Sequence, residues 1–148
     1  DMNHLMTQVV EAMEFQVKAA NVALTVEPLP PCMADPVQVN QIFTNLLDNA
    51  LKCLDDSRPG TIRVSGKAKG MYAVYCVEDN GIGIEDNCFE KIFEIFHQLN
   101  PDQTTGEGLG LTIVKRIVGR LNGTIDLASE TGKGSRFYVS LPATECPV

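Results

Sequence analysis

Three groups of residues in this chain combine types and spacings that could do chemistry. The first is Glu78-Asp79-Asn80-Gly81-Ile82-Gly83-Ile84, one carboxylate followed by two glycines at alternating positions, directly after the apolar run at 72–77. That context puts Asp79 where a strand ends and the backbone turns sharply. Its carboxylate accepts hydrogen bonds but cannot donate them, so it selects a ligand edge that carries N–H, such as an exocyclic amine. Gly81 and Gly83 let the main chain take positive φ and let another group approach the backbone without a Cβ in the way. Taken alone, the stretch also reads as a plain hairpin turn.

The second group is Asn45, Asn49 and Lys52, spaced four and three apart, with Gln41 one turn earlier. A helix through them sets all of these on one side. Amide oxygens suit Mg²⁺ and an ammonium suits phosphate, so the line fits a metal–phosphate unit; a solvated polar face is the other reading. The third group is Gly106-Glu107-Gly108-Leu109-Gly110-Leu111, a glycine-rich segment that runs into a helix. Free backbone N–H groups and the positive end of a helix dipole together bind phosphate. The dipole contributes roughly 0.3–1 kcal/mol per favourable charge, so Mg²⁺ and Lys52 must help these amides hold a triphosphate.

The elements that would position these groups follow from periodicity. Leu5, Met6, Val9, Val10, Met13 and Val17 recur at helical spacing and predict one amphipathic helix over residues 3–20, with Asn3 as its cap. A short strand at 23–27 is stopped by Pro28, Pro30 and Pro31. Asp35-Pro36 reads as an N-cap followed by proline at the first helical position, opening a helix over 36–54. Residues 61–69 and 71–77 form a hairpin around Gly70. A helix is predicted around 87–96, then a polar loop at 98–107, a helix at 109–121 ended by Asn122-Gly123, and strands at 124–129 and 135–141.

Composition narrows the class. At 148 residues, 44% hydrophobic and 21% charged, the chain reads as one soluble domain over 1–142 with a C-terminal tail at 143–148. A net charge of −7 argues against a nucleic-acid footprint and against a polybasic membrane anchor. No apolar run approaches the ~20 residues of a membrane span, and no signal-peptide pattern is visible, which suggests a cytoplasmic location without direct membrane contact. Five cysteines with no C-x-x-C pairing suit a reducing compartment and argue against a zinc cage. His4 reads as an exposed residue at a helix start, since no acidic residue follows it. Gly106, Gly108 and Gly110 depart from the dinucleotide fingerprint, Gly132-Lys133 is not a P-loop, and the H-R-D and D-F-G pair of the common protein kinases is missing.

Taken in order, the motifs resemble the ATP-binding domain of sensor histidine kinases, within the superfamily that includes gyrase, Hsp90 and MutL. Residues 41–52 (QIFTNLLDNALK) look like the family's N box and 79–84 (DNGIGI) like its first glycine box. Residues 93–96 (FEIF) look like the F box, 106–113 (GEGLGLTI) like the second glycine box, and 132–137 (GKGSRF) like the closing strand motif.

This resemblance implies a Bergerat-type ATP-binding fold: a two-layer α/β sandwich, with a mixed sheet of about five strands and three main helices on one face. It implies ATP or ADP with Mg²⁺ as ligands. Asp79 would bind the adenine amino group, with Gly81, Gly83 and Ile84 around the base and Ser135 reaching the adenine side. Asn49 would coordinate Mg²⁺, Asn45 would support metal or phosphates, and Lys52 would contact the phosphates. Gly106, Gly108, Leu109, Gly110 and Leu111 would supply backbone to the triphosphate, and Phe93 and Phe96 would anchor the lid. The family's ATP-hydrolysing members carry a glutamate base where this chain has Asn45, and an amide cannot take a proton at neutral pH, which favours phosphotransfer over hydrolysis. The implied partners are a phosphoacceptor histidine domain of the same kinase and a response regulator downstream, with the fragment itself monomeric. Its lid carries no Lys or Arg, which leaves a degenerate nucleotide-sensing module as a rival and a superfamily ATPase as a weaker one.

Overall fold

Alternation of apolar and polar residues builds a sheet with one buried face. The computed structural model describes residues 2–52, 54, 59–81, 107–130 and 133–143. Its strands are β1 (Ala23–Val26), β2 (Thr61–Lys69), β3 (Tyr72–Asp79), β4 (Thr124–Glu130) and β5 (Gly134–Pro142). They form one mixed sheet in the order β1-β2-β3-β5-β4, in which only the β1–β2 pair is parallel. Along β3 the buried positions are Ala73, Tyr75, Val77 and Asp79, and along β5 they are Ser135, Phe137, Val139 and Leu141. Period-two geometry therefore aims all of these at the same layer of helices.

That layer is formed by α1 (Met2–Ala12), α2 (Glu14–Ala20), α3 (Pro36–Lys52) and α4 (Glu107–Arg120). Helix α3 is central, packing on α1, α4 and β3. It starts where the sequence places it: Val37 N–H donates to Asp35 Oδ1 at 3.0 Å, an N-cap worth about 1 kcal/mol. Val39, Ile42, Phe43, Leu46, Leu47 and Ala50 are buried, and Phe43 meets Tyr75 edge-on with ring centroids 5.6 Å apart. The Tyr75 hydroxyl satisfies itself on the Pro30 carbonyl at 2.5 Å. At the far end of α4, Asn122 takes φ 63° and Gly123 N–H returns to Val118 O at 2.9 Å, which satisfies a carbonyl that the helix leaves open.

The N-terminal region differs from the single helix expected. Met13 leaves helical geometry (φ −102°, ψ 9°) and divides it into α1 and α2. Met2, Leu5, Met6, Val9 and Met13 are buried, whereas α2 buries no residue and Phe15 is 81% exposed. Core packing thus holds only the first helix in line, and periodicity alone cannot register that loss. Asn3 is not a cap either. It lies inside α1 and bonds both polar groups of Leu29, accepting from its N–H at 2.9 Å and donating to its carbonyl at 3.2 Å. The connection after β1 is thereby tied to the first helix. His4 is exposed, as expected.

The strands match the sequence reading with small shifts, of which one matters. Strand β3 continues two residues beyond the expected Val77 to include Asp79. Helix α3 ends at Lys52 rather than 54, and α4 begins at Glu107, two residues early, so Gly108 to Gly110 lie within its first turn. The helix around 87–96 with Phe93 and Phe96, the loop from 98 to 106, and Gly83, Ile84 and Gly106 lie outside the described residues. No helix among the described residues is long and apolar enough to cross a membrane.

Candidate nucleotide site

Asp79 is the last residue of β3 and is 4% exposed. It continues the buried series Ala73, Tyr75, Val77, so the pattern that builds the core also delivers a carboxylate to the helix side of the sheet. Gly81 N–H donates to its Oδ1 at 2.8 Å, and Ser135, its partner across the β3–β5 ladder, offers a backbone N–H as well. Burial pushes the carboxyl above the ordinary carboxylate range, while these two donors pull it back. The carboxylate is held in place with acceptor capacity left over for a ligand N–H.

Gly134, part of the closing strand motif, permits this arrangement, a role that its motif alone does not reveal. Its φ is +125°, and a Cβ there would lie 2.0 Å from the Asp79 carbonyl oxygen. No side chain fits such an approach, so β5 can begin beside Asp79 only from glycine. The signal was present in Gly132-Lys133-Gly134, but it becomes specific only once the β3–β5 register places Gly134 against Asp79. Ser135 is 4% exposed and belongs to the same pole.

A second pole lies on α3. Asn45 and Asn49 are both half-buried, whereas Gln41 is exposed and falls outside the cluster. The Asn45 Nδ2 atom is buried and meets no hydrogen-bond partner among the described residues. Such an orphan costs about 1–3 kcal/mol, so an isolated fold would favour an apolar residue there. A carboxamide at the edge of the core that lacks a partner among the described residues is suited to satisfaction by a ligand. Lys52 closes the helix three residues after Asn49; its side chain lies outside the described set.

Hard oxygen donors on Asn45 and Asn49, completed by phosphate oxygens and water, fit a Mg²⁺ ion, which keeps much of its hydration and seldom sits in an all-protein cage. Glu107, Gly108, Leu109 and Gly110 form the first described turn of α4, where backbone N–H groups have no helical partner among the described residues. Cys32 and Cys76 are free thiols, and burial raises the pKa of both, which leaves them protonated and unreactive.

A concavity of about 1050 Å³ lies elsewhere, on the opposite face of the sheet around Arg63, Cys76, Arg136 and Tyr138. It includes neither Asp79 nor Asn45, and four of its charged residues are engaged in the Glu27–Arg63 and Glu78–Arg136 pairs. A smaller cleft of about 440 Å³ does reach Asp79, together with Gly134, Ser135 and Lys133. The candidate site is therefore carried by the buried carboxylate and by the amide that lacks a partner among the described residues, not by pocket size.

Comparison with known proteins decides the family. Residues 34–145 match the model of histidine kinase-, DNA gyrase B- and HSP90-like ATPases. The chain belongs to this family. Its sequence is 36% identical over 143 residues to phytochrome-like protein Cph1 of Synechocystis, covering 96% of this chain and 19% of that protein. It is 35% identical over 145 residues to the alginate biosynthesis sensor protein KinB of Pseudomonas aeruginosa, covering 96% of this chain and 24% of that one. The chain thus spans a minor part of these multidomain relatives. Full-length ShkA in complex with AMPPNP superposes on the whole chain with a TM-score of 0.82 at 28% identity, and the match covers 32% of ShkA. The nucleotide-free catalytic domain of histidine kinase ThkA shares the fold, with a TM-score of 0.80 at 23% identity over 96% of this chain and 92% of that one. The chain is the ATP-binding catalytic domain of a sensor histidine kinase, as the ordered motifs implied.

Proposed function

We propose that this domain binds ATP together with Mg²⁺ and transfers the γ-phosphate to a histidine on a separate phosphoacceptor domain of the same kinase, from which a response regulator takes it. The observation that carries the reading is the pairing of a buried, backbone-held carboxylate at Asp79 with an orphaned amide at Asn45. Asp79 accepts from the adenine amino group and selects the base, with Gly81, Gly83, Ile84 and Ser135 around it. Asn49 coordinates the metal through its amide oxygen, Asn45 supports the metal through its oxygen or the phosphates through its Nδ2–H, and the bound Mg²⁺ supplies charge neutralisation of the triphosphate. Lys52 and the N–H groups of Gly108 to Gly110 orient the phosphates at the positive end of α4. Gly106 and Leu111 are assigned to the same triphosphate contact, and Phe93 and Phe96 to anchoring the lid.

The chemistry follows from what Asn45 cannot do. An amide takes no proton at neutral pH, so water beside the γ-phosphate is not activated and the phosphate waits for an incoming nucleophile. That nucleophile, the imidazole nitrogen of a histidine, comes from outside the chain, and catalysis by the domain is positioning and charge stabilisation. Residues 1–142 form the working domain, which acts in the cytoplasm as a monomeric unit of a larger sensor. The test is incubation with γ-labelled ATP and Mg²⁺, with and without the phosphoacceptor domain of the parent kinase. Acid-labile label on the added domain, and none on this domain alone, is the expected result. ATP binding without any transfer would overturn the kinase reading in favour of a nucleotide-sensing module, and steady-state phosphate release by the isolated domain would favour an ATPase.

A further inference from the structure

The residue after the base-reading carboxylate makes a set of bonds that the nucleotide site has not yet accounted for. The β2–β3 ladder ends at the pair Ile62↔Asp79. One step on, the Asn80 backbone N–H still donates to the Thr61 carbonyl at 3.2 Å. In a continuing antiparallel pair the Asn80 carbonyl would accept from Thr61 N–H in return. Here that N–H donates to the Asn80 side-chain oxygen, Oδ1, at 2.8 Å. The side-chain amide nitrogen donates to the Pro59 carbonyl at 2.9 Å. Asn80 thus imitates one more ladder step with its side chain while its main chain turns away, the mimicry for which asparagine is suited.

Two consequences follow for Asp79. First, the main chain is released into the turn that brings Gly81 N–H to Asp79 Oδ1 at 2.8 Å. Second, the turn is fastened to a segment that is itself anchored, since the Gly60 carbonyl accepts from Ala23 N–H at 3.0 Å at the start of β1. The same segment, 59–61, leads from the end of α3 into β2, so one side chain ties the carboxylate's turn to the strand pair beside it.

The geometry points to Asn80 as a positioning residue for base recognition: it sets the orientation of the Asp79 carboxylate and thereby the preference for an adenine over a guanine ring. It does not touch the nucleotide in this role. The inference rests on the proposed reading of Asp79 and extends it from which residue reads the base to what keeps that residue selective. An aspartate at position 80 keeps an acceptor for Thr61 N–H and loses the donor to Pro59; an alanine keeps neither.

Titration calorimetry of Mg-ADP and Mg-GDP against the intact domain, Asn80→Ala and Asn80→Asp, alongside thermal melts, tests this. Asn80→Ala is expected to lose tenfold or more in ADP affinity and to narrow the ADP-over-GDP ratio, and Asn80→Asp is expected to recover most of both. Where Asn80→Ala does not fold, Asn80→Ser takes its place, since the shorter hydroxyl does not span to Thr61, and the same loss relative to Asn80→Asp is expected. The inference is overturned if Asn80→Ala or its substitute binds ADP as the unaltered domain does, or if ADP and GDP affinities fall in equal proportion. Failure of the unaltered domain to bind Mg-ADP would instead sink the functional reading beneath it.

Discussion

The two poles of the site are built on opposite principles. At the end of β3, Asp79 is buried, bonded by the N–H groups of Gly81 and Ser135, and closed in by Gly134, where no side chain fits. On α3, Asn45 is half-buried and its Nδ2 meets nothing among the described residues. One pole is finished before ligand arrives and the other is left incomplete. The difference fits the proposed division of labour: base selection would need an acceptor fixed in advance, whereas phosphates and a metal would bring their own donors, acceptors and charge to complete the second pole.

The sharpest way to break the finished pole is Gly134→Ala. A positive φ of +125° and a Cβ 2.0 Å from the Asp79 carbonyl leave no room for adjustment on either strand. A loss of about 3 kcal/mol in urea-denaturation stability is expected, along with nucleotide binding. A neutral substitution would mean that the β3–β5 junction is not as tight as described.

The unfinished pole predicts the reverse pairing of effects. Asn45→Ala removes an orphaned buried donor, so the free domain should keep its stability or gain about 1 kcal/mol, while Mg-ADP affinity falls roughly tenfold. Melts with and without Mg-ADP read both changes, and a large loss of stability in the free domain would show that Asn45 is already satisfied structurally. The smallest effect is in pH. Burial raises the Asp79 pKa on folding, so the ionised carboxylate weakens the free domain above its folded pKa, and that cost disappears as pH falls toward the unfolded value. Binding of an amine edge needs the ionised form, so ADP affinity should fall on acidification before ordinary carboxylates titrate, with proton release on binding in that window. Titrations between about pH 4 and 7 check it, and an ADP affinity that stays flat across that window would contradict it.

Much of this was legible in the residues themselves. Asp35-Pro36 announced the start of α3, Gly70 the hairpin and Asn122-Gly123 the end of α4, because caps and turns depend on neighbours in sequence. Asp79 and the Asn45–Asn49 line were legible for the same reason, as types at fixed spacing. What was not legible depends on distant partners. The break at Met13 follows from which residues the core receives, the placement of Asn3 on Leu29, and the need for glycine at 134 from a strand register. The orphaned Asn45 amide is likewise a property of the packed state, and no local pattern encodes it.

The most direct test of the two-pole site is calorimetric titration of Mg-ADP into the unaltered domain and into Asp79→Asn, with circular dichroism to confirm that both are folded. The unaltered domain is expected to bind between micromolar and millimolar, about 4–8 kcal/mol, and Asp79→Asn to show no measurable heat while keeping its fold. Absence of binding by the unaltered domain, or binding that Asp79→Asn leaves unchanged, would contradict the assignment of Asp79 as the residue that reads the base.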